Sequence, residues 1–153
     1  MEKLTNTKDR IIIIEDTQEL KCKAKNIVRL KSTYKIVTSL LLKSTMRLNP
    51  TRVMIGEARD GQTCLDFLMA LNSGHPGGLV TVHADSAELG LKKVGQYINM
   101  VSQKPQEEMI ASAFDIIVFI ERDENQNRKI KEVLYLEDWD EVSKKYILTP
   151  VVS

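Results

Sequence analysis

Apolar residues fall along this chain in short runs with polar punctuation. Residues 11–14 are four consecutive isoleucines halted by Glu15 and Asp16, which predicts a buried strand with carboxylates at its carboxyl end. Residues 17–36 show no clean period and predict a loop or a short edge strand. The stretch 38–48 carries Leu40, Leu41, Leu42, Met46 and Leu48 and predicts a helix stopped by Asn49-Pro50. Val53, Met54 and Ile55 predict a second buried strand, ended by Glu57. Residues 62–72 predict a helix with Leu65, Leu68, Met69 and Leu71 inward, closed by Ser73-Gly74. A third strand is expected over 79–82, ending at His83. Ser86 predicts an N-cap for a helix to about Met100, and Pro105 opens another to Phe114. Residues 116–120 predict a fourth buried strand. Residues 129–137 and 145–152 predict two strands around a turn, an antiparallel addition.

Strands alternating with helices of this length predict a mostly parallel α/β sheet, in which ligands bind at the carboxyl ends of the strands. Three of those ends carry Glu15-Asp16, Glu57 and His83. Strands also end in polar residues simply because they run out into loops, so the pattern alone leaves both readings open.

The chain has 153 residues, with 42% hydrophobic and 28% charged, which fits one globular domain or a large piece of one. No apolar run reaches the roughly 18 residues of a membrane-spanning helix. No signal peptide is expected from the opening residues, and Cys22 and Cys64 form neither a disulfide framework nor a CxxC zinc motif. The expected compartment is the reducing cytosol. Charge is uneven. Residues 1–60 hold 13 Lys/Arg against 7 Asp/Glu, a balance of +6, and residues 61–153 carry −5. Between Leu20 and Gly56 stand nine basic residues and no acidic one, a stretch suited to phosphates or an acidic partner and equally to a solvated face. Only Tyr34 interleaves with it, which argues against direct nucleic-acid binding.

The candidate chemistry lies in three segments. Arg52-Val53-Met54-Ile55-Gly56-Glu57 can set a carboxylate at a sheet edge, to orient or deprotonate a water attacking a phosphoryl group. Glu15-Asp16 can hold Mg²⁺ directly or through waters. His75 and His83 flank the turn Gly74-His75-Pro76-Gly77-Gly78 and a short strand, and a histidine can donate to a phosphate oxygen; a plain glycine turn with one capping histidine accounts for it as well. No GxxxxGK[ST] phosphate loop occurs; Gly90 to Gly95 is followed by Gln96-Tyr97 in place of the lysine and Ser/Thr, and lies in a predicted helix.

Together, Ile12-Ile13-Ile14-Glu15-Asp16-Thr17-Gln18-Glu19-Leu20, Arg52-Val53-Met54-Ile55-Gly56-Glu57-Ala58-Arg59, and Asn72-Ser73-Gly74-His75-Pro76-Gly77-Gly78 with Thr81-Val82-His83-Ala84 resemble one family. It is the hexameric secretion ATPases of type IV secretion and conjugation, most closely the TrbB type, with type II secretion and pilus-retraction ATPases more distant. The resemblance covers roughly residues 8–137. It implies a RecA-like P-loop NTPase core, ATP and Mg²⁺ as cofactors, a homohexameric ring, and other secretion-system components of the inner membrane as partners. The implied location is cytoplasmic, peripheral at that membrane.

Residue by residue, Glu15 and Asp16 resemble the acidic pair of the family's Asp box, facing Mg²⁺–ATP. Glu57 resembles the Walker B glutamate and completes the implied metal set. His75 and His83 resemble the two histidines of the His box, near the nucleotide. Arg47 resembles the arginine before the Walker B strand and Arg59 that of the Glu-x-Arg step, both expected in catalysis, with Arg29 and Arg52 as weaker candidates. Residues 1–153 are expected to be a partial RecA-like domain, without the family's N-terminal domain, Walker A motif and P-loop strand. Such a sheet is expected to fold poorly alone or to close differently. The implied function is the catalytic-domain segment of a conjugal transfer or type IV secretion ATPase. The alternative is a catalytically incompetent remnant acting as a hexamer-interaction module.

Overall fold

The computed structural model describes residues 8–74 and 77–151, and the chain divides into two compact units between Val82 and His83. The first contains β1 (Arg10–Glu15), β2 (Asn26–Lys31), α1 (Thr38–Thr45), β3 (Arg52–Ile55), α2 (Gly61–Asn72) and β4 (Leu79–Val80). Its four strands are all parallel, in the order β2-β1-β3-β4. Ile11, Ile12, Ile13 and Ile14 are 0% exposed, because β1 is flanked by a strand on each side and covered on both faces. That is why the run shows no polar alternation.

The helices end as their sequences dictate. α1 tightens into a 3-10 turn over Met46–Leu48 and stops at Asn49, whose φ of 50° is the left-handed conformation that ends helices, with Pro50 next. Asp60 caps α2 by accepting from the Thr63 N–H and hydroxyl, both at 2.8 Å. α2 buries Cys64, Phe67 and Leu68, whereas Met69, expected inward, is 55% exposed. The turn after α2 needs its glycines. A Cβ on Gly78 would meet Phe67 Cζ at 2.6 Å, and Gly77, at φ +90°, would meet Arg52 Nη1 at 2.6 Å.

β4 is shorter than the expected 79–82. Only Leu79 and Val80 pair, with Met54 and Ile55, and Thr81 instead braces the neighbouring loop.

The second unit contains α3 (Ala87–Asn99), α4 (Glu107–Ala113), β5 (Ile116–Arg122), β6 (Arg128–Asp140) and β7 (Lys145–Pro150). The three strands form an antiparallel sheet in the order β5-β6-β7. Ser86 caps α3 through the Leu89 N–H at 3.2 Å, and Glu132 of β6 accepts from the Ala87 N–H at 3.1 Å, tying the helix start to the sheet. Leu91, Val94, Ile98 and Ile110 are buried under α3 and α4. The expectation of a fourth buried strand over 116–120 is corrected here. β5 forms, yet it pairs antiparallel with β6 and leaves Ile116, Val118 and Ile120 about half exposed. A run of β-branched residues specifies a strand, and its neighbours decide which sheet takes it.

Candidate functional site

The carboxyl ends of β1 and β3 lie side by side because the strands pair in register, Ile14 opposite Ile55. Gly56 N–H donates to the Ile14 carbonyl at 2.9 Å, and a Cβ on Gly56 would stand 3.0 Å from Glu15 Cγ. A glycine here lets the two acidic segments approach. The loop after Gly56 is held from the other side, where Thr81 Oγ1 donates to the Gly56 carbonyl at 2.5 Å and Ala58 N–H donates to the Thr81 carbonyl at 2.9 Å.

A cavity of about 280 Å³ opens above these ends. Glu15, Asp16, Glu57, Arg59 and Asp60 line it, together with the hydroxyl-bearing residues Ser32, Thr33, Tyr34 and Thr38. Its size suits the phosphate end of a nucleotide better than a whole one. The carboxylates have separate duties. Glu15 is almost buried: its Oε1 accepts from the Glu19 and Leu20 N–H groups at 3.0 and 2.7 Å, and its Oε2 from Arg29 Nη1 at 3.2 Å. Arg29 also donates to the Leu20 carbonyl at 3.0 Å, so this pair fastens the loop after β1. Asp60 is committed to capping α2.

Asp16 and Glu57 face the opening and share one partner. Arg59 Nη1 donates to Asp16 Oδ2 at 2.6 Å, and Nη2 donates to Glu57 Oε2 at 2.7 Å. The Thr17 N–H, at 2.7 Å from Asp16 Oδ1, and then Arg59 hold the Asp16 carboxyl below its ordinary range. The two carboxylates in turn raise the Arg59 guanidinium, Glu57 most strongly.

The other expected site residues lie elsewhere. Arg47 is exposed in the 3-10 turn and does not line the cavity. Arg52 is bound to Asp9 at 2.8 Å. His83 is exposed at the start of the second unit, where its carbonyl accepts from Lys93 Nζ at 2.7 Å. His75 lies outside the described residues. Sequence reasoning missed the hydroxyl-bearing residues after β2. Their signal was Ser32-Thr33-Tyr34 directly following a strand, but that strand was not distinguishable from a loop.

The oxygen-rich donor set, Asp16 and Glu57 with neighbouring hydroxyls, matches what Mg²⁺ takes. Among the described residues no group of three or more His, Cys, Asp or Glu could hold a metal alone. The fit is therefore that of one or two carboxylates completed by phosphate and water oxygens.

The chain superimposes on the crystal structure of the VirB11 ATPase from the Brucella suis type IV secretion system, in complex with sulphate, with a TM-score of 0.74 and 31% identity over 85% of this chain and 41% of that one. The pilus retraction motor PilT with bound ADP shares the fold at a TM-score of 0.62 and 19% identity, over 94% of this chain and 39% of that one. The fold is thus the RecA-like α/β core of these ATPases, together with a separate antiparallel sheet.

The family model "Type II/IV secretion system protein" matches residues 1–144, and the chain belongs to that family. It is 43% identical to the conjugal transfer protein TrbB of Rhizobium radiobacter over 131 residues, 86% of this chain and 40% of that protein. It is 33% identical to VirB11 of Agrobacterium fabrum, over 72% of this chain and 35% of that protein. The chain spans about 40% of the length of the curated relatives it matches. Among the described residues no helix is long and apolar enough to cross a membrane.

Proposed function

We propose that this chain forms the acidic wall of the ATP site in a type IV secretion or conjugal transfer ATPase, and that residues 1–153 are a partial RecA-like domain of such a protein. The observation that carries this is the convergence of Asp16 and Glu57 on one cavity at the carboxyl ends of adjacent parallel strands. Glu57 is the group that orients and deprotonates the water attacking the terminal phosphate, from a side chain 19% exposed and braced through Ala58 and Thr81. Asp16 and Glu57 would hold Mg²⁺ against the phosphate oxygens, and the ion supplies charge neutralisation to the phosphoryl group. Glu15 positions the Asp16 loop through its three hydrogen bonds. Arg59 sets the two facing carboxylates, while Arg47, His75 and His83 serve at surfaces completed by other copies in a homohexamer. Other secretion-system components would bind that ring at the cytoplasmic face of the inner membrane.

A second reading has its own support. Among the described residues the cavity lining has four carboxylates and a single cation, Arg59, so a triphosphate needs positive charge from elsewhere. By itself the chain would then be a catalytically incompetent module that docks into hexamers. Calorimetric titration with Mg-ATP, with Glu57→Gln in parallel, separates the two. Binding by the wild type that Glu57→Gln alters supports the ATP site, whereas no binding leaves the docking module.

A further inference from the structure

Two arginines meet carboxylates at this cavity, and the environments of the two pairs differ. The Arg29–Glu15 pair is anchored: the Glu15 side chain is 7% exposed, and Arg29 spends its second nitrogen on the Leu20 carbonyl. Arg59 is the opposite case. Its side chain is 62% exposed, that of Asp16 is 52% exposed, and both Nη groups are spent on carboxylates. The joined loops are 43 residues apart in sequence. The backbone on either side of Arg59 is fixed, since Ala58 is 2% exposed and bonded to Thr81 while Asp60 caps α2. Any movement at this point therefore belongs to the Arg59 side chain alone. Its guanidinium sits between the two carboxylates that face the cavity opening, and an exposed ion pair of this kind is cheap to exchange.

We propose that Arg59 is an exchangeable latch, which bridges Asp16 and Glu57 in the resting chain and swings out when a divalent cation with its nucleotide arrives. This rests on the reading of the cavity as the Mg-ATP site, and it assigns Arg59 a positioning role rather than contact with phosphate. A latch keeps the carboxylates together without a bound cation, and it makes their release a condition of loading.

The test is a Mn²⁺ titration followed by electron paramagnetic resonance on the whole chain, comparing wild type, Arg59→Gln, Arg59→Lys and Lys131→Gln. The last removes one surface charge from the Glu121 pair and controls for net charge. Arg59→Gln is expected to bind Mn²⁺ about tenfold more tightly, the scale of removing a unit charge a few ångströms from the ion. Arg59→Lys should stay near wild type, because its ammonium restores the competing charge, and Lys131→Gln should change affinity less than about twofold. Affinity unchanged or weakened by Arg59→Gln overturns the latch, as does an equal gain in Lys131→Gln or no Mn²⁺ bound by any variant. Mg-ATP binding keeps this separate from the functional reading. Tighter Mn²⁺ with no Mg-ATP binding leaves a latch released by the cation alone and removes the ATP site, while Mg-ATP binding with unchanged Mn²⁺ affinity keeps the site and removes the latch.

Discussion

β1 and β5 are nearly interchangeable as strings, four isoleucines in one and Ile-Ile-Val-Phe-Ile in the other, yet they live in different surroundings. β1 has a parallel neighbour on each edge, and its isoleucines are wholly buried. β5 is an edge strand with one antiparallel neighbour. Its alternate residues Ile116, Val118 and Ile120 stand on one sheet face opposite Tyr135, Val133 and Ile130, and most of that face is open. The strand in the middle of its sheet holds the core of the first unit and presents the acidic site at its end. The strand at the edge leaves an apolar face that burial has not used. Position in the sheet, and not side-chain chemistry, separates a core strand from an exposed one.

The comparison can be broken by mutation. Ile13→Ala is expected to lower stability by about 2–5 kcal/mol in urea unfolding, while Ile120→Ala, from a half-exposed site, should cost about 1 kcal/mol. Equal costs would mean that β5 is covered in solution and would end the distinction.

A second effect sharpens the first unit alone. Burial, with nearby Asp60, pushes the Cys64 thiol up to about 12 from its ordinary 9.0. Unfolding then releases a proton that the folded chain keeps, so stability should fall as pH rises from about 9 to about 12. Cys64→Ala should flatten that alkaline limb, and an unchanged limb would locate the proton elsewhere.

The smallest expected change in stability is at the open face. Val118→Thr with Ile120→Thr should shift unfolding by about 1 kcal/mol or less. It should also remove most of the binding of an apolar fluorescent dye such as anilinonaphthalene sulfonate. Full dye binding by the double variant would show that the dye reports another surface.

Much of this was legible in the sequence because the information is local. The isoleucine run, the Ser86 cap and the Asn49-Pro50 stop each depend on residues a few positions apart, whereas the Asp60 cap of α2 was not anticipated. That Glu15, Asp16 and Glu57 would lie near one another was expected for a related reason, since parallel strands deliver their carboxyl ends to one place; Arg59 came from the family resemblance and not from that geometry. What escaped depends on partners. β2 was obscured because Arg29 and Lys31 interrupt its apolar positions, and the hydroxyl-bearing residues after it were lost with it. The Glu15 carboxylate was recognisable as chemistry, but its engagement by Arg29 and the loop N–H groups is a matter of three-dimensional approach. Phe67 rather than Met69 faces inward on α2, a question of helix rotation that counting apolar residues does not resolve.

The parallel sheet also has unlike flanks. On one side β2 is the outermost strand among the described residues, and its two cations are Arg29, held by Glu15 and the Leu20 carbonyl, and Lys31. On the other side β4 pairs through two residues only, Leu79 and Val80, neither of them charged. The sheet is therefore held unequally: six residues join β2 to β1 and only two join β4 to β3, so local opening is expected to begin at the β4 border, next to the threonine that braces the Glu57 loop.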